Sequence, residues 1–266
     1  MILVNRLSSA LQVCYQSVYV KGETPLSLLL IAETDHGKSN LILNYIPTAG
    51  RLNVEKLSDA SALGLYKAVK DKTDPVTLVI PDFHKIISHK ASVTEGTINA
   101  LMMLLQDGVM KVSVGPGEPL ELHGKRANLL TAMTPGMLAG RAGRWRRLGF
   151  LRRMLPVNYT YSDVTAKKIH ESIRTGEYHS KAPTFSLPVT DPQIVTISRE
   201  WSQRIEDLAI FVSSRLENRG FTAHKFFRVF CQAHSLMNKR NAVNEQDYKA
   251  LEDFSAFCNL DTPVQI

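Results

Sequence analysis

The sequence predicts an α/β fold: a mainly parallel, five-stranded sheet with helices between its strands, followed by a small C-terminal helical lid. Three observations predict it. Short apolar runs alternate with helical patterns across residues 20–161, the rhythm of a parallel sheet with crossover helices. Leu28–Ile31 and Val76–Ile80 are apolar almost throughout, as strands covered on both faces are. From Ser162 onward only helical patterns follow. The expected division is 1–176 for the α/β core with its N-terminal helix, 177–192 for a linker and 193–266 for the helical lid.

Asn5–Val18 has the spacing of an amphipathic helix leading into Tyr19–Lys21. Leu28–Ile31 is a buried strand, and Lys38–Ile46 the helix that follows a short polar turn. Leu57–Lys70 sets Leu57, Ala60, Leu63, Leu65 and Val69 at helical intervals, with Ser58 or Asp59 as cap. Asp74-Pro75 breaks the chain before Val76–Ile80, where only Thr77 interrupts the apolar run. Glu95–Gln106 is a second strong helix, stopped by Asp107-Gly108. Met110–His123 alternates on either side of Gly115-Pro116-Gly117, which predicts a β-hairpin with arms near Lys111–Val114 and Leu120–His123. Asn128–Ala132 and Leu155–Tyr161 are further strands. Ser162 suits an N-cap, and Gly176 a stop, for Asp163–Thr175. Pro183, Pro188 and Pro192 make Glu177–Pro192 a linker loop. The helices Ile194–Leu216 and Thr222–Asn238, separated by Asn218-Arg219-Gly220, and a last one at Asn244–Cys258 complete the chain.

A chain of 266 residues with 44% hydrophobic and 21% charged residues can bury a large core. No apolar run approaches the roughly 20 residues of a membrane-spanning helix, and Met1–Ala10 lacks the basic start and apolar block of a secretion signal. Cys14, Cys231 and Cys258 are scattered, which speaks against a disulfide framework or a zinc site. The histidines show no metal-ligand spacing either. A cytoplasmic protein with no membrane partner is the expectation. Net charge is +7, and its distribution says more than its size. Gly136–Tyr161 contains no acidic residue but carries Arg141, Arg144, Arg146, Arg147, Arg152 and Arg153, interleaved with Trp145, Leu148, Phe150, Leu151 and Met154. Such a segment should fold partly against the body, and its guanidinium groups suit phosphate contact.

Leu28–Asn44 reads LLLIAETDHGKSNLILN: an apolar run, a polar turn ending Gly37-Lys38-Ser39, then a helical continuation. This is the shape of a P-loop. Backbone amides of the turn and helix start surround a polyphosphate, Lys38 reaches its outer phosphates, and the Ser39 hydroxyl sits where Mg²⁺ is held. Thr34, Asp35, His36, Gly37, Lys38, Ser39 and Asn40 are the candidate nucleotide-binding residues. The usual pattern begins with glycine where this chain has Ala32, and alanine serves there only if φ stays negative. Hydrolysis also needs an acidic residue at the end of a neighbouring buried strand, and Val76–Ile80 is followed by Pro81-Asp82. Asn128–Thr134 ends another strand with Thr131 and Thr134, polar groups that could touch the terminal phosphate or the attacking water.

The order of P-loop, acidic strand end, polar strand end, arginines and helical bundle resembles the AAA+ ATPases over residues 20–258, closest to the minichromosome-maintenance helicase and MoxR-like branches. VIPDFHKI (Val79–Ile86) resembles their Walker B strand, LLTAMTP (Leu129–Pro135) their sensor 1 strand with Thr134 at the sensor position, and GFLRRMLPV (Gly149–Val157) the arginine-finger segment, with Arg153 the best match and Arg152 in reserve. Ala233–Phe254 resembles the family's helical lid, and the hairpin stands where that branch has its pre-sensor hairpin. The departures matter. In one alignment Pro81 replaces the metal-coordinating Asp and Asp82 stands at the catalytic Glu; in the other Asp82 is the metal residue and Phe83 follows. Either way one carboxylate remains, with Glu33, Asp35 and His84 as understudies. The sensor 2 arginine is absent from Gly220–Thr222, with Thr222, His224, Arg219 and Arg228 nearby.

The resemblance implies ATP and Mg²⁺ as cofactors, with Asp82, Thr134 and Arg153 catalytic and Ser39 and Asp82 at the metal. It implies a homo-oligomer, as a ring, in which Arg153 acts in trans on a neighbour's nucleotide. DNA is the expected polymer, contacted by Lys111, Lys125 and Arg126 around the hairpin and by Arg144, Arg146 and Arg147. A protein substrate is the second expectation, and a non-hydrolysing nucleotide-gated scaffold the third.

Overall fold

Strands that are apolar on both faces require helices on both sides. In a computed structural model, which describes residues 5–48, 52–73, 75–113, 119–176, 185–216 and 220–266, that requirement is met. The strands are β1 (Leu28–Ile31), β2 (Asn53–Lys56), β3 (Val76–Ile80), β4 (Met110–Val112), β5 (Leu120–Leu122), β6 (Ala127–Met133), β7 (Leu155–Thr160) and β8 (Val264–Gln265). The helices are α1 (Asn5–Gln16), α2 (Lys38–Asn44), α3 (Ala62–Lys70), α4 (His84–Ile87), α5 (Ala91–Asp107), α6 (Pro135–Leu148), α7 (Asp163–Arg174), α8 (Arg199–Ser213), α9 (Phe221–Met237) and α10 (Glu245–Ser255).

The central sheet has the order β2-β3-β6-β1-β7-β8, and each neighbouring pair runs parallel. The sheet has six strands where five were expected: besides the four located in the sequence, β2 and β8 join it at its two edges. The hairpin is a separate two-stranded sheet of β4 and β5, with Lys111 opposite Glu121. Its expected tip, Gly115-Pro116-Gly117, lies outside the described residues.

Alternation along the strands divides the core in two. Leu28, Leu30, Leu130, Ala132, Leu155 and Val157 face α1, α2 and the C-terminal helices α8–α10. Leu29, Ile31, Leu78, Ile80 and Leu129 face α3, α4, α5, α6 and the hairpin. The C-terminal helices therefore share one apolar core with the sheet. Buried Asn128 ties α1 to this sheet, its Nδ2 donating to the carbonyls of Cys14 (2.9 Å) and Leu26 (3.0 Å).

Four departures from the sequence reading have local causes. Leu57–Lys70 is not one helix: β2 precedes it, α3 starts at Ala62, and Ser61 is the cap, accepting from the Gly64 amide. β2 is an edge strand reading NVEK, half-covered, so no apolar run announces it. The arginine-rich segment is helical as α6, begun by Pro135 and ended by Gly149 in the left-handed region. Its buried positions Leu138, Ala142 and Trp145 keep helical spacing, masked by exposed glycine and arginine. α8 begins at Arg199, where the Ser198 side chain caps it, not at Ile194. Of the expected linker Glu177–Pro192, residues 177–184 lie outside the described set, and Phe185, Leu187 and Val189 pack on the core.

One buried charge stabilises the C-terminal helices. Asp247, fully buried on α10, accepts from His234 Nδ1 at 2.6 Å, from both Arg240 guanidinium nitrogens at 2.8 and 2.7 Å, and from the Asn244 amide at 2.9 Å. Burial alone would raise its pKa, but the bonds from His234, Arg240 and Asn244 outweigh burial and hold the carboxyl below its ordinary value. The depressed folded pKa stabilises the protein above the ordinary carboxylate range, and that contribution is lost as pH falls through the depressed value. Asp247→Ala strands Arg240 beside the buried site. It should cost about 3 kcal/mol and lower the melting temperature by roughly 6–12 °C in calorimetry at neutral pH.

Candidate functional site

The connections leaving β1 and β6 take opposite faces of the sheet. α2 buries Leu41 and Ile42 on one side, whereas α6 buries Leu138 and Trp145 on the other. Since β1 and β6 are neighbours, a crevice opens between their carboxyl ends, the general ligand position in such sheets. A cleft of about 460 Å³ lies there. Thr34, Asp35, Gly37, Lys38, Ser39 and Asn40 line it from the β1–α2 loop. Pro81, Asp82 and His84 line it after β3, and Thr134 and Met137 after β6.

The loop has the backbone its sequence needs. Outside glycine, positive φ among the described residues occurs at Asp35 (62°) and Lys239 (55°), so Ala32 meets its condition. Gly37 caps α2 with φ 65°, a region open to glycine at little cost. The first helical bond runs from the Leu41 amide to the Gly37 carbonyl at 2.8 Å, leaving the amides of Lys38, Ser39 and Asn40 ahead of the ladder. Lys38 Nζ donates to the Glu33 carbonyl at 2.6 Å. Burial lowers its pKa from the ordinary value, against the opposing pull of Glu33, Asp82 and Asp35.

The acidic wall is built by burial beside it. Phe83 is held in an aromatic cluster, edge-on to Trp145 at 5.8 Å and stacked with Phe150 at 5.6 Å, and its amide donates to Ala132 at 3.0 Å. Asp82 is thereby presented to the cleft, accepting from the His84 amide at 2.9 Å. Ser39 Oγ donates to the Pro81 carbonyl at 3.1 Å, joining the start of α2 to the end of β3. With its proton so directed, its lone pairs remain available as acceptors.

Hydroxyl and carboxylate oxygens in one cleft suit a hard cation such as Mg²⁺. Among the described residues no three His, Cys, Asp or Glu side chains gather to hold a metal by themselves. Ser39 and Asp82 are the residues that would hold it, and bound there it would neutralise phosphate charge.

Other candidates fall elsewhere. Thr134 lines the cleft, and its side chain makes no capping bond to α6. Thr131 is buried and donates to the Ile80 carbonyl at 2.8 Å, joining β6 to β3 and not reaching the cleft. The His36 side chain turns away from the cleft onto β7. Arg153 precedes β7, at the opposite end of the sheet, and strands of four to six residues separate the ends by roughly 13–20 Å. Its Nη1 donates to the Gly149 carbonyl at 2.9 Å. It lines a second cleft of about 320 Å³ with Arg152, Glu23, Thr222 and Lys225, so the start of α9 lies with Arg153 and away from the β1–α2 loop. Arg219 lies outside the described residues.

The basic candidates do not form one surface. Arg126 donates to the backbone carbonyls of Val18, Val20 and Glu23, and Lys125 to that of Lys72. These bonds fasten loops, and Gly108 completes the junction: at its positive φ of 64° a Cβ would collide with the Lys125 carbonyl. Lys111 pairs with Glu121 at 2.7 Å and Arg144 with Glu95 at 3.0 Å, both at the surface. Arg147 is exposed beside Arg144 on α6, whereas Arg146 is half-buried in a groove with Leu151 and Leu260. Among the described residues, no helix is long and apolar enough to cross a membrane.

Two groups that sequence reasoning missed bear on the site: Tyr159 and Tyr161, whose hydroxyls both donate to the His36 carbonyl. Nothing in the phosphate-loop pattern points to residues so far along the chain. No protein-family model matches this chain, and no curated protein matches it.

Proposed function

We propose that the protein is an ATPase of the AAA+ type, with a P-loop core and a C-terminal helical lid, that works as an oligomeric ring on nucleic acid. The observation that carries this reading is the convergence of Lys38, Ser39, Asp82 and Thr134, from three separate loops, on one cleft at the reversal of strand order. A lysine and loop amides answer a triphosphate, a hydroxyl and a carboxylate its metal ion, and a threonine its terminal phosphate. The test is the rate of ATP hydrolysis with and without single- and double-stranded DNA, with oligomeric state followed by light scattering. DNA stimulation that falls steeply with salt supports the reading.

Arg153 supplies the oligomer argument. Its distance from the cleft of its own chain keeps it from a nucleotide bound there, so a catalytic Arg153 would have to act on a neighbour's. Arg153→Ala should preserve ATP affinity within about twofold and lower hydrolysis by about 10²–10³-fold, only at concentrations where subunits assemble. Equal loss in the monomer would refute action in trans.

One observation favours a polypeptide substrate as the second reading. Lys125 and Arg126, beside the hairpin, are bonded to backbone carbonyls, Lys111 pairs with Glu121 and Arg144 with Glu95, so contact with DNA would compete with existing bonds at each of these four. ATP hydrolysis indifferent to DNA but stimulated by unfolded protein selects this reading.

A further inference from the structure

We propose that Tyr159 and Tyr161 are positioning residues for the phosphate loop; the proposal rests on reading the cleft as a triphosphate site. Both phenols donate to one acceptor, the His36 carbonyl, at 2.9 and 2.8 Å. Tyr159 is on β7 and Tyr161 follows its last residue, Thr160, and the loop crosses that end of β7 where both hydroxyls reach it. Two donors match the two lone pairs of a carbonyl oxygen. Burial raises the pKa of each phenol, so both remain donors throughout the neutral range.

The ring of residue 36 is fastened too. His36 Nδ1 lies 3.0 Å from the Thr34 carbonyl, Nε2 lies 3.2 Å from Thr160 Oγ1, and the imidazole stacks on Tyr161 at 4.8 Å with planes 14° apart. The next residue is Gly37, where a Cβ would meet Tyr161 Oη at 2.8 Å. A trans peptide sets carbonyl and amide antiparallel. Holding the His36 carbonyl against the tyrosines therefore fixes the direction of the Gly37 amide, immediately before Lys38. Neither tyrosine lines the cleft, so they act through the loop.

The anchor is itself braced. β8 sets Val264 opposite Tyr159, the Ile266 amide donates to Thr160 at 2.9 Å, and the Ser162 amide donates to Ile266 at 2.9 Å. The end of β7 is thus an interior strand, and the loop leans on a fixed support.

Tyr159→Phe, Tyr161→Phe and the double variant test this, with Kd measured for ATP and AMP in magnesium and the melting temperature measured without ligand. Each single change should weaken ATP binding about 3–10-fold and the double about 30-fold, while AMP weakens much less and the ligand-free melting temperature falls by no more than about 6 °C. Unchanged ATP affinity in the double variant, with wild type binding normally, overturns the positioning role and leaves the triphosphate site standing. Equal losses for ATP and AMP, or losses that track a larger fall in melting temperature, also overturn it in favour of general structural support. If wild type and Lys38→Ala alike bind no nucleotide, the triphosphate reading falls and takes this proposal with it.

Discussion

Lys38→Ala is expected to weaken ATP binding by about 10²–10³-fold, measured by titration with a fluorescent ATP analogue in magnesium. The ammonium stands at the mouth of α2, and its present partner is the Glu33 carbonyl at 2.6 Å. Exchanging that neutral acceptor for phosphate oxygens makes charge-assisted bonds, each about 1.5–3 kcal/mol. Two such bonds correspond to the stated loss. Acidic surroundings sharpen the dependence: Glu33, Asp35 and Asp82 all act on Lys38, so without it the cleft is left with carboxylates facing a triphosphate. The half-exposed side chain contributes little packing, and the melting temperature should hardly move. Retained affinity in Lys38→Ala would show that ATP is held without Lys38 and would remove the basis for reading the β1–α2 loop as its site.

Asp82→Asn is expected to keep ATP affinity within a few-fold and to reduce turnover by about 10²–10³-fold. Asparagine retains an oxygen to accept the His84 amide, the bond Asp82 makes at 2.9 Å, so the turn before α4 keeps its shape. It removes the one carboxylate that the end of β3 offers, and Pro81 beside it can contribute only its carbonyl. Single-turnover and steady-state assays separate the chemical step from product release. Unchanged hydrolysis would place the catalytic acid elsewhere, with Asp35 and His84 the remaining titratable groups lining that cleft. Absence of hydrolysis in the wild type, with tight ATP binding, would instead identify a nucleotide-gated scaffold.

Much of this architecture was legible in residue order. The buried strands β1 and β3 announce themselves because both faces are covered and nearly every position is apolar, and β6 and β7 follow as apolar runs interrupted by Asn128, Thr131 and Asn158. Gly37-Lys38-Ser39 marks the turn between β1 and α2, because a glycine at positive φ opens the helix there. Asn244, expected inside the last helix, is instead the cap of α10; the N-cap of α7, Ser162, was legible for a local reason, since its short polar side chain reaches a first free amide. β2 and β8 were not, since an exposed edge strand and a two-residue strand owe their conformation to a neighbour. α6 was hidden because its exposed face carries glycine and arginine, and only three buried positions keep the period.

The sequence by itself determined the α/β class, the main strands and the loop that carries Lys38. Local pattern suffices there, since covalent proximity and helix and strand periodicity act within a few residues. Only the tertiary structure decided which distant groups meet. It put Asp82 and Thr134 into the cleft with Lys38, and turned Thr131 into the strand pair. It closed Arg126 onto three carbonyls, moved Arg153 to the far end of the sheet, and laid Tyr159 and Tyr161 against the His36 carbonyl. These juxtapositions depend on strand order and on which face each connection takes, and both are settled by burying two apolar faces at once.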